Sequence, residues 1–110
     1  MTLSPYAAPG IPRKKDLSLS LIEEHVCRIF GEQQRLVHSK SHKRHLVLCR
    51  QVTMMIGRQM LNLSYNQIAE FYDTDHSSTI HNIRTASNRT DTEPELAEKV
   101  KDIKQAILFS

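Results

Sequence analysis

The segment Asp75-His76-Ser77 places a carboxylate, an imidazole and a hydroxyl in three consecutive residues. These are the residue types of a hydrolase triad, but consecutive side chains on a helix point about 100° apart. They therefore cannot align as orienting acid, base and nucleophile, and catalysis of that type is excluded at this segment. The same groups suit base readout, because Asp accepts from the cytosine amino group and His or Ser bonds to purine acceptors.

Two short helical patterns joined by a tight turn would position this segment. Ser64 and Gln67 have the spacing of a capping box, which predicts a helix of about two turns. The pattern breaks at Asp73-Thr74, and a second helix is predicted from near Asp75 with three residues on one side: Ile80, Ile83 and Ser87. This arrangement indicates a helix-turn-helix, in which the second helix meets base edges in the major groove. The alternative is that the Asp/Ser/Thr cluster is only a helix cap.

The whole chain favours an all-α fold, a small helical bundle built around the helix-turn-helix. Aromatic residues, Gly and Pro are few, and helical spacing dominates. The first helix is predicted over residues 17–30, with Glu23 favouring its positive end, and the longest helix over residues 45–63. Residues 1–16 are predicted to be a flexible basic tail, and residues 17–110 a single helical DNA-binding domain.

The end of the chain is predicted to close the bundle. A turn is expected at residues 87–91, followed by a capping box at residues 92–95 with Pro94 in the first helical turn. An amphipathic helix then carries its apolar residues at helical spacing: Leu96, Val100, Ile103 and Ile107. Packing is the favoured role for this helix, although its acidic outer face also suits a protein partner.

The charge is distributed unevenly along the chain, whose net charge is +3. Residues 33–69 contain no Asp or Glu but six cations: Arg35, Lys40, Lys43, Arg44, Arg50 and Arg58. Residues 91–102 carry five acids against two lysines. A basic middle and an acidic end indicate that one face meets a polyanion. Residues 39–45 are predicted to form an exposed basic loop that leads into the longest helix.

Other classes of protein receive little support from the sequence. Cys27 and Cys49 lie in helical patterns and are predicted to be buried, reduced thiols, as in a cytosolic protein. Metal binding by His38, His42 and His45 is weakly supported, because their spacing lacks the pattern of a structural site. The sequence offers no membrane-spanning run and no secretory signal, so a cytoplasmic, nucleoid-associated protein is expected.

Three segments resemble the C-terminal DNA-binding domain of the bacterial replication initiator DnaA: Arg50-Gln51, Asn62-Leu-Ser64 and the run Asp75-His76-Ser77-Ser78-Thr79-Ile80-His81. The last is similar to the family signature Asp-His-Thr-Thr-Val-x-His, and the resemblance covers about residues 17–107. It implies a Trp-repressor-like helix-turn-helix that reads the major groove of a short A·T-rich element, the DnaA box. It also implies that the basic loop reaches the minor groove.

The resemblance carries over two sets of site residues. The implied base contacts are Asp75, His76, Ser77 and Asn66 in the major groove and His42 in the minor groove. The implied phosphate contacts are Lys40, Lys43, Arg44, Arg50, Gln51, Arg58, Ser78 and His81. Contacts of the second kind would make binding salt-sensitive.

The sequence departs from the family pattern at three places. Asp73-Thr74 stands where the family usually has Gly-Gly-Arg, so the turn is one residue shorter and the second helix is expected at a slightly different angle. Ser77 and Ser78 replace two threonines, whose methyl groups could pack on thymine. His42 aligns with a minor-groove arginine, and narrow A·T-rich grooves favour arginine. This predicts either a shift of register to Arg44 or weaker minor-groove readout.

The predicted function is sequence-specific, non-catalytic binding of double-stranded DNA at a DnaA-box-like site, in replication initiation or its regulation, with no cofactor. The sequence has no G-x-x-x-x-G-K-[ST] loop and hence no ATPase module of that type. The Met1 start and Pro-rich tail favour a free-standing regulator over a fragment. The alternative is a helical protein-interaction module, or a transcriptional regulator that has lost box specificity.

Overall fold

The computed structural model describes residues 18–109, which form six helices and no strand. They are α1 (Leu19–Phe30), α2 (Gln34–Val37), α3 (Arg44–Leu61), α4 (Tyr65–Phe71), α5 (His76–Thr92) and α6 (Pro94–Leu108). The predicted all-α fold is therefore confirmed, whereas the predicted tail over residues 1–16 lies outside the described residues. Within the described part, no helix is both long and apolar enough to cross a bilayer.

Helix α3 lies at the centre and packs against α1, α2, α4 and α5. Residues 51–57 of α3 are all buried, so this stretch contacts protein on every side. Leu19 of α1 packs against Gly57, where a Cβ would lie 2.4 Å from Leu19 Cδ2 and would displace that side chain. Helix α6 closes the bundle through the four predicted apolar residues, all buried: Leu96, Val100, Ile103 and Ile107. The prediction of its core face is thus confirmed.

Local residue chemistry sets the ends of these helices. Gly31 ends α1 with φ 73°, and Asn62 ends α3 with φ 52°, both in the left-handed conformation that Gly and Asn tolerate best. Ser64 and Gln67 form the predicted capping box of α4: the Gln67 amide donates to Ser64 Oγ (3.1 Å), and the Ser64 amide donates to Gln67 Oε1 (2.8 Å). These caps fix where α3 stops and the helix-turn-helix begins.

Helix α5 is longer than the sequence predicted. The predicted turn at 87–91 is wrong, because α5 continues through these residues to Thr92. Polar side chains in this part of α5 satisfy their hydroxyls on carbonyls of the preceding turn, as in the 2.7 Å bond from Thr90 Oγ1 to the Ala86 carbonyl. The capping box predicted at 92–95 is also wrong: Glu93 is the cap of α6 and makes no side-chain cap bond, while Pro94 opens the helix as predicted.

The buried side of α5 also differs from the prediction. Thr79 and Ala86 are fully buried, whereas Ile80, Ile83 and Ser87 are only partly buried. Thr79 satisfies its hydroxyl on the Asp75 carbonyl at 3.0 Å, which allows a polar residue to occupy the core-facing position.

A buried carboxylate joins α1 to the helix-turn-helix. Glu23, predicted to favour the positive end of α1, is only 1% exposed. It accepts from the Tyr72 hydroxyl (2.6 Å) and from Gln34 Nε2 (3.0 Å), and His38 Nδ1 lies 3.3 Å from it. Because Tyr72 ends α4, this network holds the helix-turn-helix against α1 and α2.

The two thiols lie in the core as predicted. Cys27 and Cys49 are free and buried. Burial, with the nearby carboxylates of Glu23 and Glu32, raises the pKa of Cys27 to about 11. Burial likewise raises the pKa of Cys49 to about 12. Both side chains therefore act as small apolar residues in this interior.

Candidate nucleic-acid interface

The turn between α4 and α5 uses an aspartate in the left-handed conformation. Asp73 has φ 51°, which Asp tolerates better than most residues because its short polar side chain can bond locally. The Thr74 amide donates to the Ala69 carbonyl (3.0 Å), and the Asp73 amide donates to the Glu70 carbonyl (3.2 Å). The turn is thus closed by backbone bonds, with Asp73 at the position of positive φ.

The start of α5 is capped by Asp75. The Ser78 amide donates to Asp75 Oδ1 at 2.6 Å, and this bond, with that of the Ser78 side chain, lowers the pKa of the Asp75 carboxyl from its ordinary value. The Asp75 side chain stays exposed, as do those of His76 and Ser77. Asp75 therefore forms the helix cap that the sequence predicted as the alternative, and its carboxylate remains exposed to solvent.

The outer face of α5 carries polar residues at helical spacing. Its exposed members recur at i, i+4, i+7 and i+11: Ser77, His81, Arg84 and Asn88. Ser77 and His81 were predicted site residues, whereas sequence reasoning missed Arg84. The spacing could have revealed it, because Arg84 lies seven residues after Ser77 and hence on the same face.

Arg50 holds the basic loop, which in the structure comprises residues 39–43, since Arg44 and His45 belong to α3. Arg50 Nη1 donates to the carbonyls of Val37 and Ser39, both at 2.8 Å, and Nη2 donates to the carbonyl of Ser41. Partial burial lowers the pKa of the guanidinium from its ordinary value. Arg50 was predicted to hold a phosphate; in the structure its guanidinium bonds to the carbonyls of the loop and anchors it.

Lys40 connects the basic loop to the helix-turn-helix. Its ammonium donates to the Asp73 carbonyl at 2.6 Å and lies 3.6 Å from Asp73 Oδ2. Both side chains are largely exposed, so the ion pair contributes little stability. Its geometry nevertheless places the loop beside the turn that precedes α5.

Two neighbouring grooves show that the loop and α5 share one face. The first, of about 260 Å³, is lined by the loop, by α3 and by the helix-turn-helix; its polar lining includes Lys40, His42, Arg50, Thr74, Ser78 and Asn82. The second, of about 310 Å³, is lined by His42, Arg44, Val47, Leu48, Gln51, Thr85 and Arg89. His42 and Val47 border both grooves. Lys40 and His42 of the loop therefore lie next to the start of α5, whereas Lys43 lines neither groove.

Gln51, a predicted phosphate contact that lines the second groove, also bonds within the protein. The residue is only 8% exposed, and its Nε2 donates to Asn82 Oδ1 at 3.1 Å. The reason is its position on the central helix, where α5 packs over it. The geometry therefore assigns Gln51 to holding α5 on α3, with Asn82 as a partner that sequence reasoning missed.

Three residues from three helices form a row at the helix-turn-helix: Arg58, Tyr65 and His76. Arg58 Nη1 donates to the Leu63 carbonyl at 2.8 Å, and its guanidinium carbon lies 4.3 Å from the centre of the Tyr65 ring. The Tyr65 ring lies 5.6 Å from the His76 imidazole. Arg58 is half-buried, whereas Asn66, on α4 beside Tyr65, is exposed.

The histidines proposed as weak metal ligands have other neighbours. His38 lies beside Glu23, and His45 Nδ1 lies 2.7 Å from Glu32 Oε2. Among residues 18–109, no group of three or more His, Cys, Asp or Glu side chains is arranged to hold a metal ion.

Comparisons with known proteins agree with this geometry. A family model described as the bacterial DnaA protein helix-turn-helix matches residues 19–86. The chain is 31% identical to the chromosomal replication initiator protein DnaA of Methylacidiphilum infernorum over 97 residues, which cover 87% of this chain and 21% of the relative. It is 25% identical to the DnaA protein of Caldanaerobacter subterraneus over 95 residues, covering 86% of the chain and 21% of the relative.

A third relative, the DnaA 1 protein of Chlamydia muridarum, is 37% identical over 75 residues, covering 68% of this chain and 16% of the relative. The chain thus spans about a fifth of the length of these curated relatives. The family model, in contrast, matches well over half of the chain and includes α1 to α4 and the first two-thirds of α5. The resemblance inferred from the sequence is confirmed: the chain belongs to the bacterial DnaA helix-turn-helix family.

Proposed function

We propose that this chain binds double-stranded DNA sequence-specifically at an A·T-rich, DnaA-box-like element, without catalysis, in replication initiation or its regulation. Membership of the DnaA helix-turn-helix family, whose C-terminal domains bind double-stranded DNA, supports DNA binding related to initiation. The observation that carries the proposal is the first groove, in which Lys40 and His42 of the basic loop face Thr74 and Ser78 at the start of α5.

The proposed contacts are of two kinds, those to the bases and those to the phosphates of the DNA. The start of α5 would enter the major groove with Asp75, His76 and Ser77, while Asn66 approaches from α4 and His42 points to the minor groove. The proposed phosphate contacts are Lys40, Lys43, Arg44, Gln51, Arg58, Ser78 and His81, and we add Arg84 from the exposed face of α5. Arg50 would act mainly through the loop it anchors.

The test is a binding titration on two duplexes of equal length, one containing a DnaA box and one with the same bases shuffled. We expect the box to bind more tightly and both affinities to fall as salt rises from roughly 50 to 200 mM. His76→Ala should cost about 1–3 kcal/mol on the box and little on the shuffled duplex. Gln105→Ala, an exposed position on α6, is the control. An equal loss on both duplexes would remove His76 from base readout.

A second candidate, a protein-interaction module, is favoured by the end of α6. Leu108 and Phe109 are 67% and 85% exposed, and they lie at the end of a helix with exposed acids. A partner with a basic, apolar surface would complement this end. Binding of neither duplex at micromolar protein, at either salt concentration, would favour this candidate over DNA binding.

A further inference from the structure

Tyr65 stands between a fixed cation and the residue proposed to read a base. The guanidinium carbon of Arg58 lies 4.3 Å from the centre of the Tyr65 ring, within the range of a cation–π contact. The Tyr65 ring also contacts His76: the two ring centres lie 5.6 Å apart with an interplanar angle of 58°. That separation is within the 4.5–7 Å range of favourable aromatic pairs.

Arg58 is itself held in place. Its Nη1 bonds to the Leu63 carbonyl at 2.8 Å, so the cation is fixed to the chain that connects α3 with α4. Tyr65 and His76 are the first residues of α4 and α5 respectively. The row Arg58–Tyr65–His76 therefore links the end of the central helix to the starts of both helices of the helix-turn-helix.

Packing of the core does not account for Tyr65. The ring is half-buried, and the two apolar clusters among the described residues are built without it. The start of α4 is capped by Ser64 and Gln67, which does not require an aromatic side chain at the next position. The ring's contacts point instead towards the orientation of His76.

The exposed position of His76 gives this contact a function. A free imidazole at the surface must be ordered when it bonds to a base, and ordering a side chain on binding reduces affinity by about 2- to 10-fold. A ring that already restricts the imidazole removes part of that loss. The benefit is confined to DNA sequences that His76 recognises, so it acts on specificity.

We propose that Tyr65 is a specificity-determining positioning residue, which holds the His76 imidazole ready to meet its base and is itself held by Arg58. The inference rests on the proposed function, because it requires His76 to read a base. It identifies the relevant ligand feature as a major-groove hydrogen-bonding edge next to His76.

The first test uses the free protein. In NMR spectra, the Cε1–H signal of His76, assigned by its loss in His76→Gln, should carry a ring-current shift from Tyr65. Tyr65→Phe should retain the shift, and Tyr65→Leu should abolish it. An unchanged His76 signal in Tyr65→Leu would overturn the inference while leaving the proposed function intact.

The second test uses the box and shuffled duplexes. Tyr65→Leu should lose about 2- to 10-fold on the box and nothing on the shuffled duplex, and Tyr65→Phe should bind like the parent chain. In a His76→Ala background, Tyr65→Leu should cause no further loss, because Tyr65 acts through His76. A further loss there would mean that Tyr65 contacts DNA itself and would overturn the inference. If the parent chain does not distinguish the duplexes, the proposed function fails and the inference fails with it.

Discussion

Arg50→Lys is expected to weaken DNA binding although it preserves the positive charge. The guanidinium reaches three carbonyls spread along the chain from α2 to the middle of the basic loop, those of Val37, Ser39 and Ser41. A lysine ammonium is a compact point donor and lacks the planar fork that spans these acceptors. The substitution therefore tests whether Arg50 anchors the loop or only neutralises a phosphate.

The size of the effect follows from the bonds lost. Hydrogen bonds to a charged group contribute roughly 1.5–3 kcal/mol each, and the half-exposed site argues for the lower value. If lysine keeps one bond of three, about 3 kcal/mol of loop anchoring is lost. Ordering two loop residues costs a similar amount, about 1–2 kcal/mol per residue. Affinity should thus fall by up to about 150-fold if DNA must order the loop again.

The assay is the titration on box and shuffled duplexes at two salt concentrations, with amide hydrogen exchange on the free protein. We expect Arg50→Lys to lose affinity on both duplexes and to exchange faster over residues 38–43. Arg35→Lys, at an exposed cation on α2 that belongs to neither set of proposed contacts, is the matched control and should stay within about twofold of the parent chain. Affinity and exchange equal to the parent in Arg50→Lys would refute the anchoring role, because a phosphate contact alone tolerates lysine.

Three further changes test other parts of the structure. Glu23→Gln should lower the free energy of unfolding, measured by urea denaturation, by about 3 kcal/mol. The new amide NH₂ would face donors that now bond to the carboxylate. A decrease below about 1 kcal/mol would contradict the network. Burial lowers the pKa of His25 from 6.5, so the unfolded chain binds the proton more readily and stability should fall as pH drops below about 6.5. His25→Leu should reduce that fall, and an unchanged pH dependence would assign it elsewhere. Asp75→Ser keeps a capping oxygen but removes the carboxylate; thermal unfolding should match the parent while box preference decreases, and equal loss on both duplexes would contradict base contact.

The sequence predicted the parts of the fold that depend on local spacing. The capping box at Ser64 and Gln67 and the core face of α6 involve residues no more than eleven positions apart. The family signature then added the position of the helix-turn-helix and its proposed base-reading residues. The residues that determine each of these features lie close together in the sequence.

Interactions between distant segments could not be predicted in this way. The Tyr72 hydroxyl bonds to Glu23 across 49 positions, and only the folded chain shows that this carboxylate is enclosed. From its residue type Gln51 is expected at the surface, but in the folded chain α5 packs over it. The extension of α5 was missed for a different reason: its Ser, Asn and Thr residues usually favour turns, but here Thr90 and Thr92 bond back to the carbonyls of the preceding turn.

The pKa values of the two core thiols make Cys27 and Cys49 chemical reporters of opening. With values of about 11 and 12, roughly one thiol in ten thousand to one in a hundred thousand is ionised at neutral pH. Alkylating reagents attack the thiolate, so the folded chain should resist them. A copy of the chain in which α1 has moved away from α3 should react. The rate of labelling would then measure how often this interior opens to water, without the addition of a probe.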